Sequence, residues 1–498
     1  MKLSTLIAGL DATVTSAVDP VVWNLAEDSR KVREGACFFA RVGTKADGRA
    51  FIADAIARGA VAVIAPKGST PPDALPASVA WVEAADPALA AALIAERFHG
   101  SPSRTLELIG VTGTNGKTTI AYLVQQLLTA AGLRTGLIGT VEIDDGASRV
   151  PSMLTTPPAL ELSELFARMV DHGCRAAAME VSSHSLDQRR VAGLLFRTAI
   201  FTNLTGDHLD YHGTMERYAE AKARLFSMLD PTGAAILNID DPWHSVMLAA
   251  ARGAGAKVLR TSLVDPSAEC FGTVHGMGLD AMEVSFRGPW GLIEMKLPLV
   301  GRHNAMNALQ AAAAAWTRGV DQARLARALS TCSAPPGRLQ PVSVGGAGFS
   351  VLVDYAHSDD ALANVLGALR PTVPSGGRLR VVFGCGGDRD RTKRPRMAKV
   401  ACDGADEVIV TSDNPRTENP DAIIDEILAG VPEQARGRVS VEVDRAKAIA
   451  RAVSTAREGD IILIAGKGHE DYQIIGTEKK NFDDRREAEA AVRMRLGS

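Results

Sequence analysis

The sequence predicts an α/β protein of three domains. A small N-terminal α/β domain precedes a central domain whose parallel or mixed sheet is built on a phosphate-binding loop, and a C-terminal doubly wound domain follows. Three observations predict this. The chain has 498 residues, and ~150 residues per domain gives about three domains. An apolar run, a glycine loop, a helical stretch and a second apolar run follow one another between 106 and 138, the order of a βαβ unit. Beyond Ala334-Pro335-Pro336-Gly337 the alternation of strand and helix patterns begins again.

In residues 1–102, Cys37–Ala40 and Val61–Ala65 carry β-type patterns, with helical periodicity from Arg49 to Arg58 between them. The polar stretch His99–Arg104, around Pro102, reads as a linker. In residues 103–336, Leu106–Val111 reads as a buried strand. Ile120–Ala131 reads as a helix stopping near Gly132, and Thr135–Ile138 as the next strand. One strand is expected just before Glu180, another at Thr198–Thr202, and an alanine-rich helix at Asn304–Thr317. In residues 337–498 the strands are Arg380–Phe383, Glu407–Thr411, Val439–Val443 and Ile461–Ala465, with helices between them.

Composition excludes several function classes. Fifty-five Lys and Arg against 58 Asp and Glu give a formal charge of −3, so there is no basic field for a nucleic-acid backbone. Aromatic residues are 5% of the chain, too few for a base-stacking surface. No apolar run approaches the ~18–20 residues that span a bilayer, so no membrane partner is expected. Met1–Leu10 has one lysine and a short apolar stretch with no cleavage pattern, so no signal peptide is expected. Cys37, Cys174, Cys270, Cys332, Cys385 and Cys402 lie far apart without a C-x-x-C. They read as reduced, buried thiols of a cytoplasmic protein.

The phosphate loop is Gly113-Thr114-Asn115-Gly116-Lys117-Thr118-Thr119, between a strand and a helix start. Its glycines let backbone N–H groups turn toward phosphate oxygens, and the helix N-terminus adds partial positive charge. Lys117 reaches the β- and γ-phosphates, and the Thr118 hydroxyl can ligate Mg²⁺. Val111 stands where the general pattern has its first glycine, so the loop is a shortened G-x-x-G-K-T. Gly384-Cys385-Gly386-Gly387 fails as a dinucleotide fingerprint because Arg389 occupies the third glycine position.

These residues, with Met179-Glu180-Val181-Ser182-Ser183-His184, Thr202-Asn203-Leu204, Asp207-His208-Leu209-Asp210-Tyr211-His212, His303-Asn304-Ala305-Met306-Asn307 and Asp354-Tyr355-Ala356-His357, resemble the Mur ligases of peptidoglycan synthesis. The match runs from Asp28-Ser29-Arg30 to Gly466-Lys467-Gly468-His469-Glu470 and is nearest to the diaminopimelate-adding branch. The resemblance implies a P-loop ATPase-type central domain and a Rossmann-like C-terminal domain. It implies a monomer whose substrates are ATP, UDP-N-acetylmuramoyl-L-alanyl-D-glutamate and meso-2,6-diaminopimelate. An acyl phosphate on the D-glutamate side chain is attacked by the amine, giving the UDP-N-acetylmuramoyl tripeptide, ADP and phosphate.

The resemblance also assigns roles. Glu180 and His208 would hold Mg²⁺, two ions in all, and Lys222 would be carbamylated to N6-carboxylysine and serve as a further metal ligand. Read alone, Glu180 is a solvated residue at a strand end and Lys222 an exposed helix lysine. Asn304 and Asn307, three apart on one helical face, would flank the nucleotide, with Arg338 and Asp354 reaching it from the next domain. Ser29, Thr44, Lys45 and Ala46 would hold the uridine diphosphate. At 44 and 45 the family's His-Gln is replaced by Thr-Lys. Thr155, Thr156, Ser182, Gln188 and Arg190 would hold the muramyl dipeptide. Asp413-Asn414-Pro415-Arg416 is the discriminating motif: Arg416, with Arg389, would grip the distal carboxylate of diaminopimelate, while Gly466 and Glu470 hold its ammonium. Ser358-Asp359-Asp360 reads as a helix start although relatives often have Pro at 359.

Two other readings stand beside this one. The same ligase chemistry could act on another substrate, as in folylpolyglutamate synthetase, or the loop could serve a nucleotide-gated switch. The Ser29-Arg30 domain and Asp413–Arg416 argue against the first. The ordered set Glu180, His208 and Lys222 argues against the second.

Overall fold

The computed structural model describes residues 1–43, 46–73, 75–343 and 345–497. The chain divides into two compact units. One comprises Met1–Lys117, Leu128–Arg260 and Thr317–Gly319, the other Thr118–Leu127, Thr261–Trp316 and Val320–Ser498. This differs from cuts at 102 and 336, because the central segment contributes to both units. The α/β class stands, with a separate sheet at each end of the chain and a mixed one in the middle.

In the first unit the N-terminal sheet has the order Ala12–Val14, Ala80–Ala84, Ala60–Pro66, Ala36–Phe39, Asn24–Ala26. Only the Ala12–Val14 edge is antiparallel. Parallel strands buried on both faces read as continuous apolar runs, as Ala36–Phe39 and Ala60–Pro66 do. The loops after Asn24–Ala26 and Ala36–Phe39 leave the same end of the sheet, which puts the turns at Ser29–Lys31 and Gly48–Phe51 beyond that end. The expected linker is a built junction: Pro102–Arg104 is a 3₁₀ turn with Pro102 and Ser103 buried.

The second sheet of this unit is centred on Glu107–Thr112. Parallel neighbours are Ala176–Glu180 on one side and Phe196–Phe201 on the other. Leu229–Asn238 and Thr135–Ile138 extend it in parallel, and Glu142–Asp144 and Arg149–Pro151 finish it as an antiparallel edge. Register places Glu180 opposite Val111 and Phe201 opposite Thr112. Three adjacent strands therefore end together, at Gly113, at Glu180 and at Thr202. A core of Leu108, Met179, Phe166, Phe196, Phe201 and Phe226 fixes that alignment.

The second unit contains an antiparallel meander of Cys270–Met277, Met282–Gly288 and Gly291–Leu297, absent from the expected elements. The helix Arg302–Thr317 follows, buried along nearly its whole length. Its C-terminal sheet has the order Gln340–Val342, Ser350–Asp354, Ile461–Ala465, Leu379–Phe383, Glu407–Val410, Val439–Val441. All of its pairs are parallel except the first. Ile461–Ala465 returns to lie between the first and second parallel strands, a doubly wound arrangement with the ligand crevice at the carboxyl ends. Asp354, Gly384, Thr411 and Gly466 all lie at those ends. Ser358 caps the helix Asp359–Leu369, with Asp359 and Asp360 in its first turn, as expected.

Candidate functional site

The phosphate loop is locked by the neighbouring strand end. Thr114 N donates to Asn203 O (2.8 Å), Asn115 N to Asn203 Oδ1 (3.0 Å) and Thr202 Oγ1 to Asn115 O (2.6 Å). Thr205 N donates to Thr114 Oγ1 (3.0 Å). The Thr202-Asn203-Leu204 motif is thus a clip that holds the loop open-faced. Gly113 has φ +150°, and a Cβ there would collide with Thr202 Oγ1. Lys117, which starts the helix Lys117–Ala130, folds its Nζ over the loop onto Gly113 O (2.9 Å) and Thr114 O (2.7 Å).

Lys222 departs from its reading as an exposed helix lysine. It lies on the inner face of Met215–Ser227, is 1% exposed, and donates from Nζ to Gly113 O (2.8 Å). Burial, then the Lys117 charge, hold its amine well below the ordinary lysine range, with Asp207 opposing. Glu180 departs from its reading too: it is buried, with Oε1 accepting from Thr140 N (2.7 Å) and Oε2 from Thr140 Oγ1 (3.2 Å). Nothing in the spacing of the sequence announces Thr140. His208 takes a left-handed conformation, φ +56°, before Leu209–His212. Its ring meets His184 edge-on at 4.9 Å and Tyr218 at 6.3 Å. His184 and His212, inside the quoted motifs but unassigned, complete this ring cluster with Tyr211. Burial, then the neighbouring His208 and His212, push the His184 pKa to about 4.

The muramyl candidates gather around Glu180. Thr156 Oγ1 donates to Glu180 O (2.9 Å) and accepts from Ser182 N (3.1 Å). Thr155 Oγ1 meets Thr140 Oγ1 at 3.0 Å. Arg190 donates to Thr156 O (2.9 Å) and to Gln188 Oε1 (2.7 Å), which preorients its guanidinium. In the N-terminal domain Ser29 is buried in a turn capped by Asp28, whose carboxylate also clasps Arg30. Asp47 and Arg49 repeat that clasp. Ala46 O accepts from Gly43 N (2.9 Å), while Thr44 and Lys45 lie outside the described residues. Arg41 pairs with Glu27 at 2.9 Å beside Arg190, a half-buried cluster that sequence reasoning missed.

In the second unit Asn307 Nδ2 donates to Asn304 Oδ1 (2.9 Å), and both amides are buried on one face of Arg302–Thr317. Arg338 reaches Thr118 Oγ1 (3.4 Å) and stacks over Tyr355, 4.8 Å from its centroid. Asp354 accepts from Leu339 N (2.6 Å) and Ala356 N (2.8 Å). Burial raises its pKa against the Arg338 charge.

The C-terminal motifs are brought together. Asn414 Nδ2 donates to Glu470 Oε2 (2.8 Å), and Lys467 Nζ lies 3.5 Å from Asp413 Oδ1. Arg416, φ +51°, donates from Nη1 to Gly387 O (2.8 Å), and its backbone pairs with Ile474 and Gly476 of the hairpin Tyr472–Ile475/Glu478–Asn481. Arg416 and Arg389 flank Gly386, and Arg389 is exposed. The glycines at 384–387 serve close packing: a Cβ on Gly387 would overlap Pro415 O. Gly466 N donates to Asp354 O (3.0 Å).

Among the described residues no three His, Cys, Asp or Glu side chains form a metal cluster. Nor is any helix long and apolar enough to cross a membrane. The arrangement offers a phosphate cradle, a buried carboxylate level with it, and a separate pocket with cations and carboxylates side by side.

Comparison with known proteins accords with this geometry. Residues 23–99 match "Mur ligase family, catalytic domain", residues 111–315 "Mur ligase middle domain", and residues 337–468 "Mur ligase, glutamate ligase domain". A UDP-N-acetylmuramoyl-L-alanyl-D-glutamate--2,6-diaminopimelate ligase of Chlorobaculum tepidum is 45% identical, covering 98% of this chain and 97% of its own. The protein of that name from Parasynechococcus marenigrum is 47% identical over 96% of each chain. A solved structure of a ligase with this name is 35% identical, covers 96% of both chains and superposes with a TM-score of 0.69. With identity of this order sustained from end to end, the chain belongs to the Mur ligase family.

Proposed function

We propose that this chain is an ATP-dependent carbon–nitrogen ligase of peptidoglycan synthesis. It adds meso-2,6-diaminopimelate to UDP-N-acetylmuramoyl-L-alanyl-D-glutamate. The observation that carries the choice of amino acid is Arg416, held beside Arg389 around Gly386 with its Nη1 on Gly387 O (2.8 Å), in the same motif as the Asn414 that pairs with Glu470. An arginine fork matches a carboxylate bidentately, and a substrate lacking that group leaves it unpaired. The relatives carrying this substrate in their names share the whole length of the chain.

The chemistry needs no side-chain nucleophile. Lys117 and the loop N–H groups stabilise charge on the transferring γ-phosphoryl group, which moves to the D-glutamate side-chain carboxylate. The diaminopimelate amine attacks the resulting acyl phosphate and phosphate leaves. Arg190 and Thr156 orient the muramyl end, while Asn304, Asn307, Arg338 and Asp354 belong to the nucleotide. Glu180, His208 and the Thr118 hydroxyl suit Mg²⁺, two ions in our reading, since Mg²⁺ takes few protein ligands and most of its shell from phosphates and water. Bound there, Mg²⁺ supplies charge neutralisation at the phosphates. The neutral amine is the form that adds CO₂, so the burial that lowers the Lys222 pKa supports carbamylation, which would place oxygen ligands where the amine stands.

We assign residues 1–102 to the UDP-muramyl domain, 103–336 to the ATP domain and 337–498 to the amino-acid domain. The three matched segments fall inside those bounds. A monomeric, cytoplasmic enzyme fits this role. The test is phosphate release with ATP, Mg²⁺ and the muramyl dipeptide, comparing diaminopimelate with L-lysine and weighing the product. Release that follows diaminopimelate, with a tripeptide product, is expected. Release with lysine alone would remove the role given to Arg416, and slow release indifferent to any acceptor would leave only a nucleotide switch.

A further inference from the structure

Lys467 belongs to the Gly466–Glu470 motif but holds no substrate role in the scheme above. It follows the buried strand Ile461–Ala465 and its side chain is 0% exposed. Its Nζ contacts Asn414 Oδ1 (3.1 Å) and Glu470 Oε2 (3.1 Å), and lies 3.5 Å from Asp413 Oδ1. That aspartate oxygen is buried and accepts no hydrogen bond. An ammonium has three donors and no acceptor, so it can face only such oxygens.

We propose that Lys467 is a positioning residue that gives the amino-acid pocket its preference for a zwitterionic side-chain end. This rests on reading Asp413–Arg416 and Gly466–Glu470 as the acceptor site. Two consequences of its place carry the proposal. The first is amide orientation. Asn414 Oδ1 takes Lys467 Nζ and Ile474 N (2.9 Å), two donors that fix the oxygen end. Nδ2 is thereby turned to Glu470 Oε2 (2.8 Å), and its second hydrogen is the donor that a carboxylate needs. Without Lys467 the amide loses one of the two donors that decide which end points into the pocket.

The second consequence is charge. Asp413 and Glu470 are two carboxylates near the pocket floor, and Lys467 is the cation between them. Removing a buried partner leaves uncompensated charge. An acceptor whose side chain ends in both an ammonium and a carboxylate is neutral there, whereas lysine brings a bare positive charge. Lys467 opposes lysine, and its loss favours it.

The test compares Lys467→Met, Lys467→Gln and Lys467→Arg in the full-length enzyme. KM is measured for diaminopimelate, ATP and the muramyl dipeptide, and kcat/KM with L-lysine as acceptor. The Met and Gln variants are expected to raise KM for diaminopimelate by on the order of 10- to 100-fold, the range for hydrogen bonds to charged groups. The other two KM values should stay nearly constant, and the preference for diaminopimelate over lysine should fall. Arg should restore part of it. An unchanged KM for diaminopimelate overturns the proposal, as does a parallel rise in all three constants or failure of both Met and Gln variants to fold. Arg416→Met is run alongside. If it alone raises KM for diaminopimelate, only the role of Lys467 is lost; if it too changes nothing, the reading of the pocket falls with it.

Discussion

Gly113 meets three demands at one position: a φ of +150°, a side that touches Thr202, and a carbonyl that accepts from both Lys117 and Lys222. Any side chain pushes the loop off its clip, and a displacement of about 1 Å at a reacting group can cost about 100-fold in rate. Gly113→Ala is therefore expected to lose on the order of 100-fold in kcat/KM for ATP while its circular dichroism stays unchanged. A variant that retains full ATP turnover would show that the loop tolerates the shift. The glycine was legible from the motif. Its partner was not, because the contact with Thr202 joins residues on separate strands and has no sequence period.

Elements that follow a period were read well, and elements whose reason is a distant partner were missed. Thr135–Ile138 and Ile461–Ala465 were placed to the residue, since buried parallel strands are short apolar runs between turns. The meander Cys270–Leu297 was missed because half-exposed antiparallel strands carry polar residues such as Glu283, Arg287 and Lys296 through the run. The junction after the helix Pro87–Phe98 reads in the sequence as a polar linker, and its buried contacts are not legible for another reason. Glu96, a charge on the helix's apolar side, accepts from Ser103 N (2.9 Å) and Ser103 Oγ (2.5 Å), and from Ser163 Oγ (3.4 Å) of Ala159–Asp171. Burial raises the Glu96 pKa, against the Ser103 and Ser163 hydrogen bonds and the Arg104 charge. For an acid raised on folding, the associated stability is present below the ordinary value of 4.5 and is lost as pH rises through the folded value. Glu96→Gln keeps an acceptor for Ser103 and cannot titrate. Hydrogen exchange of the Pro87–Phe98 amides should therefore quicken from pH 4.5 to neutrality more in the wild type than in the variant. Equal pH dependence in both would show that Glu96 does not titrate in that window.

At the scale of the whole molecule, the proposed ligands divide between the two compact units. Ser29, Thr155, Thr156, Ser182, Gln188 and Arg190 lie in one, and Arg389, Asp413–Arg416, Gly466 and Glu470 in the other. The residues proposed for the nucleotide fall in both: Gly113–Lys117 in the first, and Thr118, Asn304, Asn307, Arg338 and Asp354 in the second. A chain built this way need not unfold in one step. A ligand that binds only the native form stabilises the unit it touches, by about 2.7 kcal/mol at a hundred times its Kd. For units of this size that is a rise of about 5–10 °C in the midpoint. Scanning calorimetry should therefore resolve more than one transition. The muramyl dipeptide should move one of them, diaminopimelate a different one, and ATP with Mg²⁺ both. The assignment of residues to substrates fails if diaminopimelate moves the transition that the muramyl dipeptide moves and leaves the other in place. A single transition shifted equally by all three would mean that the units share one cooperative unfolding, and that binding at either end is felt by the whole chain.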